Sequence, residues 1–177
     1  MRIRLDQVRF EPFHWQETCN ISSEVLGHPE LVKLGPVTWR GQVNFADPGF
    51  YLRARLTYEQ TLVCDRCLKQ VTEPMTGDMQ LLVYTDAAER GPGDHELHDE
   101  DMTVLHVPEE VLETEPLLLE QLQLNIPMKP LCRPDCAGLC PVCGADLNLG
   151  PCACPPPTPD PRWTGLAALR DRLNERE

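Results

Sequence analysis

The sequence predicts an α+β fold: an antiparallel β-meander with a few short helices, followed by a cysteine-rich module near the C-terminus. Three observations predict it. Apolar residues alternate with polar ones through three successive segments, leucines recur at helical spacing further along, and six of the nine cysteines crowd into residues 131–154. Alternation places successive side chains on opposite faces of a strand, whereas a spacing of three and four places them on one face of a helix.

The first two predicted strands form a hairpin. Apolar and polar side chains alternate from Val37 to Phe45 and again from Leu52 to Leu62. The connector Ala46-Asp47-Pro48-Gly49 has the composition of a turn, so we expect the two strands to pair in antiparallel fashion. A third strand is predicted from Val71 to Val83, and Pro74 within it indicates an edge strand or a bulge because proline cannot donate a ladder hydrogen bond.

Two helices are predicted after these strands. The first covers Glu115 to Ile126, with Thr114 as its N-cap and Pro127 at its end. Its apolar stripe consists of Leu118, Leu119, Leu122 and Ile126. The second begins near Asp160 and places Trp163, Leu166, Leu169 and Leu173 on one face.

The composition indicates a soluble, loop-rich protein. With 177 residues the chain is long enough for one core and a small appendage, and 18 prolines break it often. The N-terminal stretch lacks the apolar core of a secretory signal, and no stretch is apolar enough to span a membrane. A cytoplasmic location, without contact with a membrane, is therefore expected.

The charge is unevenly distributed. The formal net charge is -12, and the segment from Asp86 to Glu120 contains twelve acidic residues and one basic residue. This balance excludes a globally basic nucleic-acid binder. Four local basic residues could still contact phosphate: Arg53, Arg55, Arg66 and Lys69. The alternative interpretation is that they lie on a solvated face of the sheet.

Two regions are predicted along the chain. Residues 1–130 form the α+β core domain and include an acidic loop at 86–101, which has too little apolar surface to offset the entropy of ordering. Residues 131–177 form the cysteine-rich module, a stiff proline tether at 155–157 and a C-terminal helix that packs on the core.

The cysteines are predicted to bind metal. Disulfides are rare in a reducing compartment, and an odd count of nine weakens a disulfide framework, which is the alternative interpretation. Two pairs have the Cys-x-x-Cys spacing that lets a tight turn present both sulfurs to one ion. The second pair, Cys140-Pro141-Val142-Cys143-Gly144, is typical of a zinc knuckle, because glycine accepts the positive φ that the turn needs.

Eight cysteines supply two sets of four ligands, so two structural zinc ions are expected. The predicted first set is Cys64, Cys67, Cys132 and Cys136, and the predicted second set is Cys140, Cys143, Cys152 and Cys154. Cys152 and Cys154 must lie in a turn, since their side chains would diverge in an extended strand. A zinc ion with four thiolates has no open position for a substrate, which favours a structural role. Four sulfurs also suit iron, as in rubredoxin, and Cys19 is expected to be a packed small residue.

Catalysis has no positive support in the sequence. His95 and His98 lie among carboxylates, but their spacing is not that of a metalloprotease motif, and a solvated acidic loop is the plainer interpretation. No nucleophile elbow, phosphate-binding glycine loop or dinucleotide fingerprint is present. We therefore expect a protein that is not an enzyme and has no small-molecule substrate.

Several of these motifs, taken in order, resemble the YceD family. They are Cys64-Asp65-Arg66-Cys67, Leu124 to Cys132, Cys136 to Asn148, Cys152-Ala153-Cys154 and Asp160-Pro161-Arg162-Trp163. The resemblance spans roughly Val37 to Leu173 and implies a large ribosomal RNA subunit accumulation protein, a soluble bacterial or chloroplast factor. It implies as partners the large ribosomal subunit precursor, ribosomal RNA or a ribosomal protein, and it supplies no catalytic residues.

Three hypotheses follow from the motifs and the resemblance. The favoured one is a ribosome-biogenesis factor whose zinc-binding cysteines stabilise a rigid binding surface. The alternatives are a rubredoxin-like iron redox protein and an adaptor whose acidic loop docks on a basic protein.

Overall fold

The structure is a computed structural model that describes residues 1–85, 103–107, 109–155, 162 and 166. Strands dominate it, and the helices are few and short. In chain order the elements are β1 (Arg2–Arg4), α1 (Leu5–Val8), β2 (Phe13–Cys19), α2 (Ser23–Leu26), β3 (Leu31–Leu34), β4 (Val37–Ala46), β5 (Gly49–Val63), β6 (Gln70–Tyr84), β7 (Val104–His106), β8 (Val111–Glu113) and α3 (Thr114–Asn125).

The main sheet contains six strands. Its order is β2-β4-β5-β6-β7, and β3 pairs with β5 beside this path. All of these pairings are antiparallel except that of β7, which lies parallel to β6. Strands β1 and β8 form a separate antiparallel pair. The prediction of an α+β chain built mainly from antiparallel strands with a few short helices is confirmed, and β7 adds a parallel strand that was not predicted.

The predicted hairpin lies at the centre of the main sheet. β4 and β5 pair from Thr38 opposite Thr57 to Ala46 opposite Gly49. Pro74 lies in β6 opposite Glu59. Among the described residues, β6 pairs on its other side only at Leu82–Tyr84, so Pro74 occupies an edge stretch where no ladder N–H is needed.

The predicted first helix is present as α3, but its N-cap was predicted wrongly. Thr114 is the first helical residue and the N-cap is Glu113, whose side chain makes no capping hydrogen bond. The Thr114 hydroxyl instead donates to the carbonyl of Met1 at 3.3 Å, and its side chain is almost fully buried. A tertiary contact with the N-terminus has therefore replaced the local cap, which spacing along the sequence does not reveal.

One face of the main sheet forms the core. Alternate residues of β5, including Leu52, Leu56 and Leu62, are almost completely buried and pack with Trp39 of β4 and Leu122 of α3. This burial explains the period-two pattern, because the intervening residues of β5 point to the opposite face.

Close packing at the edge of the core depends on one glycine. A Cβ atom at Gly41 would lie 2.4 Å from two ring carbons of Trp15. The indole of Trp15 thus occupies the space that any side chain at position 41 would need, and glycine is required there for this close approach.

The chain divides into two compact units, Met1–Cys136 and Ala137–Glu177. The sheet and all of the helices named above belong to the first unit. The acidic loop predicted at 86–101, with His95 and His98, and nearly all of the helix predicted from Asp160 lie outside the described residues. In the described part of the chain, no helix combines the length and the apolar character needed to cross a bilayer.

Candidate metal centres

The first Cys-x-x-Cys pair forms a tight turn between β5 and β6. Two backbone hydrogen bonds close this turn: the N–H of Leu68 donates to the carbonyl of Cys64, and the N–H of Cys64 donates to the carbonyl of Lys69, each at 2.9 Å. Leu68 has a φ of 59°, the left-handed conformation that lets the chain reverse after Cys67. We call this turn the first knuckle, residues 64–69.

Two further cysteines reach the first knuckle from the segment after α3. The Sγ atom of Cys136 lies 3.9 Å from that of Cys64, and the Sγ atom of Cys132 lies 3.6 Å from that of Cys67. All four sulfurs lie within 4.8 Å of one another. Cys64, Cys67 and Cys136 are buried, and Cys132 is half-buried. The structure therefore brings together the four residues of the predicted first set.

These distances suit a metal ion with four thiolate ligands. Sulfur atoms at about 2.3 Å from a common tetrahedral centre are separated by about 3.8 Å. The observed separations of 3.6 and 3.9 Å bracket that value, and both are far longer than the S–S bond of about 2.0 Å in a disulfide. The first cysteine set could thus hold one metal ion, and all of its members lie in the first compact unit.

The segment that carries Cys132 and Cys136 is attached to the knuckle by polar contacts. The N–H of Asp65 donates to the carbonyl of Pro130 at 2.9 Å. The Arg66 guanidinium donates to the carbonyl of Cys136 at 2.7 Å. Arg66, which the sequence suggested as a phosphate contact, therefore positions a cysteine of the candidate metal centre, and a hydrogen bond of this kind has no signature in sequence spacing.

The protonation of this set depends on its backbone and on the charge of its neighbours. Burial disfavours the thiolate of Cys64, but the N–H groups of Cys67, Cys132 and Arg66 outweigh it and lower the pKa of Cys64 to about 6. Burial and the adjacent sulfurs, chiefly that of Cys67, raise the pKa of Cys132 to about 12. The first negative charge forms easily and the last does not, so full ionisation of the set needs a cation at its centre.

The second Cys-x-x-Cys pair forms a second knuckle, residues 140–145, with the same hydrogen bonds. The N–H of Gly144 donates to the carbonyl of Cys140 at 2.9 Å, and the N–H of Cys140 donates to the carbonyl of Ala145 at 2.8 Å. The N–H of Val142 also points to the Cys140 sulfur at 3.4 Å. Gly144 has a φ of 72° in open space, so it has the positive φ that the sequence predicted for it.

Cys152 and Cys154 complete the second set. The chain bends at Ala153 and Cys154, and this bend brings both sulfurs to the second knuckle instead of to opposite sides. The four sulfurs lie within 4.8 Å of one another, as in the first set. Cys143 is exposed and only Cys140 is buried, so this set is more open to solvent than the first.

The second set shows the same contrast in thiol ionisation. The N–H groups of Cys143 and Val142 lower the pKa of Cys140 to about 6. The contact with the Cys143 sulfur, together with burial, raises the pKa of Cys154 to about 12. This set could also hold one metal ion, because a cation would neutralise the thiolates that otherwise keep their protons.

Side-chain hydrogen bonds of Asn148 and Asp146 support the second knuckle. Asn148 accepts a hydrogen bond from the N–H of Ala137 at 2.8 Å and donates to the carboxylate of Asp146 at 2.7 Å. Asp146 pairs with Leu139 in an isolated antiparallel bridge. No role was predicted for Asp146 or Asn148, although a turn-forming Asp-x-Asn directly after a knuckle is a readable signal.

The remaining predicted residues belong to neither set. Cys19 belongs to neither set; it is half-buried against the core, and its thiol points to the carbonyl of Val37 at 3.7 Å. Burial raises the pKa of Cys19, as expected for an inert packed thiol. Arg53 and Arg55 lie on the sheet face opposite the core. Lys69 is the last residue of the first knuckle, and its backbone carbonyl accepts the hydrogen bond from the N–H of Cys64.

Comparison with known proteins places the chain in a family. The sequence pattern of the family described as large ribosomal RNA subunit accumulation protein YceD matches residues 52–170, which include both cysteine sets. An uncharacterized protein of Mycobacterium tuberculosis is 35% identical over 111 residues, covering 60% of this chain and 48% of that protein. An uncharacterized protein of Mycobacterium leprae is 27% identical over 157 residues, covering 80% of this chain and 67% of that protein.

A plant relative carries a functional name. The large ribosomal RNA subunit accumulation protein YCED homolog 1 of Zea mays, a chloroplast protein, is 24% identical over 119 residues, covering 54% of this chain and 41% of that protein. The chain spans about half the length of the Mycobacterium tuberculosis relative. No solved structure is significantly similar to it. Because the family pattern covers well over half of the residues and contains both knuckles, the chain belongs to the YceD family of large ribosomal RNA subunit accumulation proteins.

Proposed function

We propose that this protein is a ribosome-biogenesis factor that supports the accumulation or maturation of large-subunit ribosomal RNA. Its partner is the large ribosomal subunit precursor, through ribosomal RNA or a ribosomal protein. It acts in the cytoplasm without membrane contact, and it acts by binding, not as an enzyme on a small-molecule substrate. The observation that carries the proposal is the family match, which runs through both cysteine sets.

In this proposal the metal ions are zinc and their role is structural. Eight thiolates in two closed sets of four leave no ligand position for a substrate, so each ion would hold chain segments together. In the first set the ion would connect the turn between β5 and β6 to the segment after α3. Cys67 and Cys132 are 65 residues apart, and fixing them together stabilises the surface that a partner would bind.

Sedimentation tests the functional proposal. An affinity-tagged copy of the protein should sediment with large-subunit precursor particles in a sucrose gradient, and a strain lacking the gene should contain less mature large-subunit ribosomal RNA than small-subunit ribosomal RNA. Absence from every large-subunit fraction, together with normal ribosomal RNA levels in the deletion strain, would refute it.

Elemental analysis tests the identity of the metal. Purified protein should contain two zinc ions per chain and have no visible absorption. Four thiolates also bind iron, so a red sample with thiolate-to-iron absorption would instead support the redox alternative. A colourless sample with two zinc ions per chain removes that alternative.

A further inference from the structure

The main sheet has a second large face, which lies opposite the core and is polar. Residues directly opposite each other on neighbouring antiparallel strands point to the same face. One such row runs from Gln16 through Arg40 and Arg55 to Asp78, across β2, β4, β5 and β6. The adjacent outward row contains His14, Gln42, Arg53 and Gln80. We call the surface formed by these two rows the outward face.

The outward face is concave and positively charged. Its residues line an open concavity of about 620 Å³, which contains three arginines and a single carboxylate. This balance is the reverse of that in the whole chain, whose formal net charge is -12. A local cluster of arginines on an acidic protein attracts an anionic partner, because exposed charges act mainly within a distance of about 10 Å.

Two of the three arginines are available to a partner. Arg55 binds Asp78 through both of its forked nitrogen atoms, and this interaction lowers the pKa of Asp78 and keeps its carboxylate ionised. Among the residues that the structure describes, neither Arg40 nor Arg53 forms an ion pair, and both are exposed. The Arg53 guanidinium lies 4.7 Å from the centre of the Tyr51 ring, which holds it across the face.

The other groups of the outward face fit a polynucleotide. Gln16, Gln42 and Gln80 supply neutral donors and acceptors. Tyr51, in the next row beside the outward face, presents an aromatic ring, and its hydroxyl donates to Gln80 at 2.6 Å. An arginine fork suits a phosphate, amides suit base edges and ribose hydroxyls, and aromatic rings suit unstacked bases. The carboxylates of an acidic protein would engage mainly the arginines, whereas RNA supplies phosphates for the arginines and base edges and ribose hydroxyls for the amides.

We propose that the outward face binds the phosphate backbone of RNA, with Arg40 and Arg53 as the main phosphate ligands and Arg55 oriented by Asp78 beside them. The inference rests on the proposed function, which supplies ribosomal RNA as the relevant polymer, and it deepens that function by assigning the binding surface. None of the residues that line this surface is a cysteine of either candidate set.

The test compares two double variants of the full chain loaded with zinc. Arg40→Gln with Arg53→Gln removes two charges from the outward face at exposed positions. Arg2→Gln with Arg4→Gln is the matched control, because it removes two charges from exposed arginines of β1. The probes are an in vitro transcript of large-subunit ribosomal RNA and poly(U). The dissociation constant is measured by fluorescence anisotropy between about 50 and 200 mM salt, a range in which affinity for phosphates falls steeply with salt because binding releases counterions.

The outward-face variant should bind both probes about a hundredfold more weakly, since the removal of each arginine that binds a phosphate weakens affinity about tenfold. The slope of log affinity against log salt should become shallower by about 1.4 for the single-stranded probe. The control variant should match the wild-type protein. Equal affinities of the wild type and the outward-face variant, or equal reductions of affinity in both variants, would overturn the inference.

Gradient sedimentation of the same variants separates this inference from the proposed function. If the outward-face variant binds RNA normally but leaves the large-subunit particles, the face binds a protein and the RNA inference is wrong. If RNA affinity does not depend on the outward face but wild-type protein still sediments with the particles, the inference is wrong and the proposed function stands. If wild-type protein sediments with no large-subunit particle, the proposed function is refuted by that result alone.

Discussion

Substitution of Cys132 by serine should remove one metal ion and destabilise the sheet strongly. The Cys132 sulfur lies 3.6 Å from that of Cys67, and the metal would close a chain loop of 65 residues between them. Cys132 is half-buried and lies outside the knuckle turn, so serine replaces a ligand without opening a cavity in the core. Cys19→Ser is the matched control, because Cys19 belongs to neither cysteine set.

The size of the effect follows from the loop that the metal closes. In the chain-entropy model for a cross-link, closing a loop of 65 residues reduces the unfolded-state entropy by an amount equal to about 4 kcal/mol at 25 °C. The second set closes a loop of only about nine residues between Cys143 and Cys152, for which the same relation gives about 2.6 kcal/mol. Cys132→Ser should therefore cost more free energy of unfolding than Cys152→Ser.

The assay combines metal content with unfolding of the sheet. Denaturation is followed by tryptophan fluorescence, to which the completely buried Trp39 contributes, and zinc is counted by elemental analysis. We expect one zinc ion in Cys132→Ser and in Cys152→Ser and two in Cys19→Ser. Two ions retained in Cys132→Ser, or a sheet transition shifted no further than in Cys152→Ser, would refute the assignment of Cys132 to the first set.

Three further predictions concern packing, backbone conformation and pH. Gly41→Ala should lower the free energy of unfolding by about 1–3 kcal/mol in chemical denaturation, because the new methyl group overlaps the Trp15 ring; an unchanged midpoint would contradict this close packing. Gly144→Ala should weaken zinc binding at the second set about fivefold in competition with a chromophoric chelator, because alanine is strained at a φ of 72° by roughly 1 kcal/mol; equal affinity argues against that strain. Zinc should be retained at about pH 7 and released as the pH is lowered, because protons compete with the ion for the thiolates of each set, and Cys132 and Cys154, whose pKa values are raised to about 12, are ionised only beside a bound cation; a zinc content that stays constant down to about pH 4, measured with a zinc-sensitive dye, would contradict ligation by four thiolates.

The central strands were predictable because one of their faces is buried. In β5 the even-numbered residues from Leu52 to Leu62 are buried and most of the odd-numbered ones are exposed. Because only the buried positions require apolar side chains, apolar and polar residues alternate along the sequence. β2 alternates less clearly, since Glu17 interrupts its apolar positions, and it was not predicted. β1, β7 and β8 contain only three residues each, which is too short for any periodicity to be visible.

The grouping of the cysteines was predictable for a different reason. A Cys-x-x-Cys pair is a local signal, and chain order then leaves Cys132 and Cys136 for the first knuckle and Cys152 and Cys154 for the second. The sequence predicted only part of the outward face. Arg53 and Arg55 were identified, but Arg40 and His14 join them only through the register of β2, β4 and β5. Register depends on pairing between distant strands, which a single sequence does not display.

The two knuckles have the same hydrogen bonds but differ in the residue that adopts positive φ. Gly144 adopts it without strain, whereas Leu68 adopts it with a side chain that is 64% exposed, so little burial compensates the strain. The first knuckle joins β5 and β6, whose continuous pairing ends at Val63 opposite Gln70. That pairing holds both ends of the turn, so Leu68 has no alternative conformation that keeps the register. In the described residues the second knuckle is flanked by one isolated bridge, between Leu139 and Asp146, and not by a continuous ladder, so no strand register imposes a strained φ and glycine supplies the positive φ without strain. A search for Cys-x-x-Cys-Gly would therefore find the second knuckle and miss the first, although both present their sulfurs in the same way.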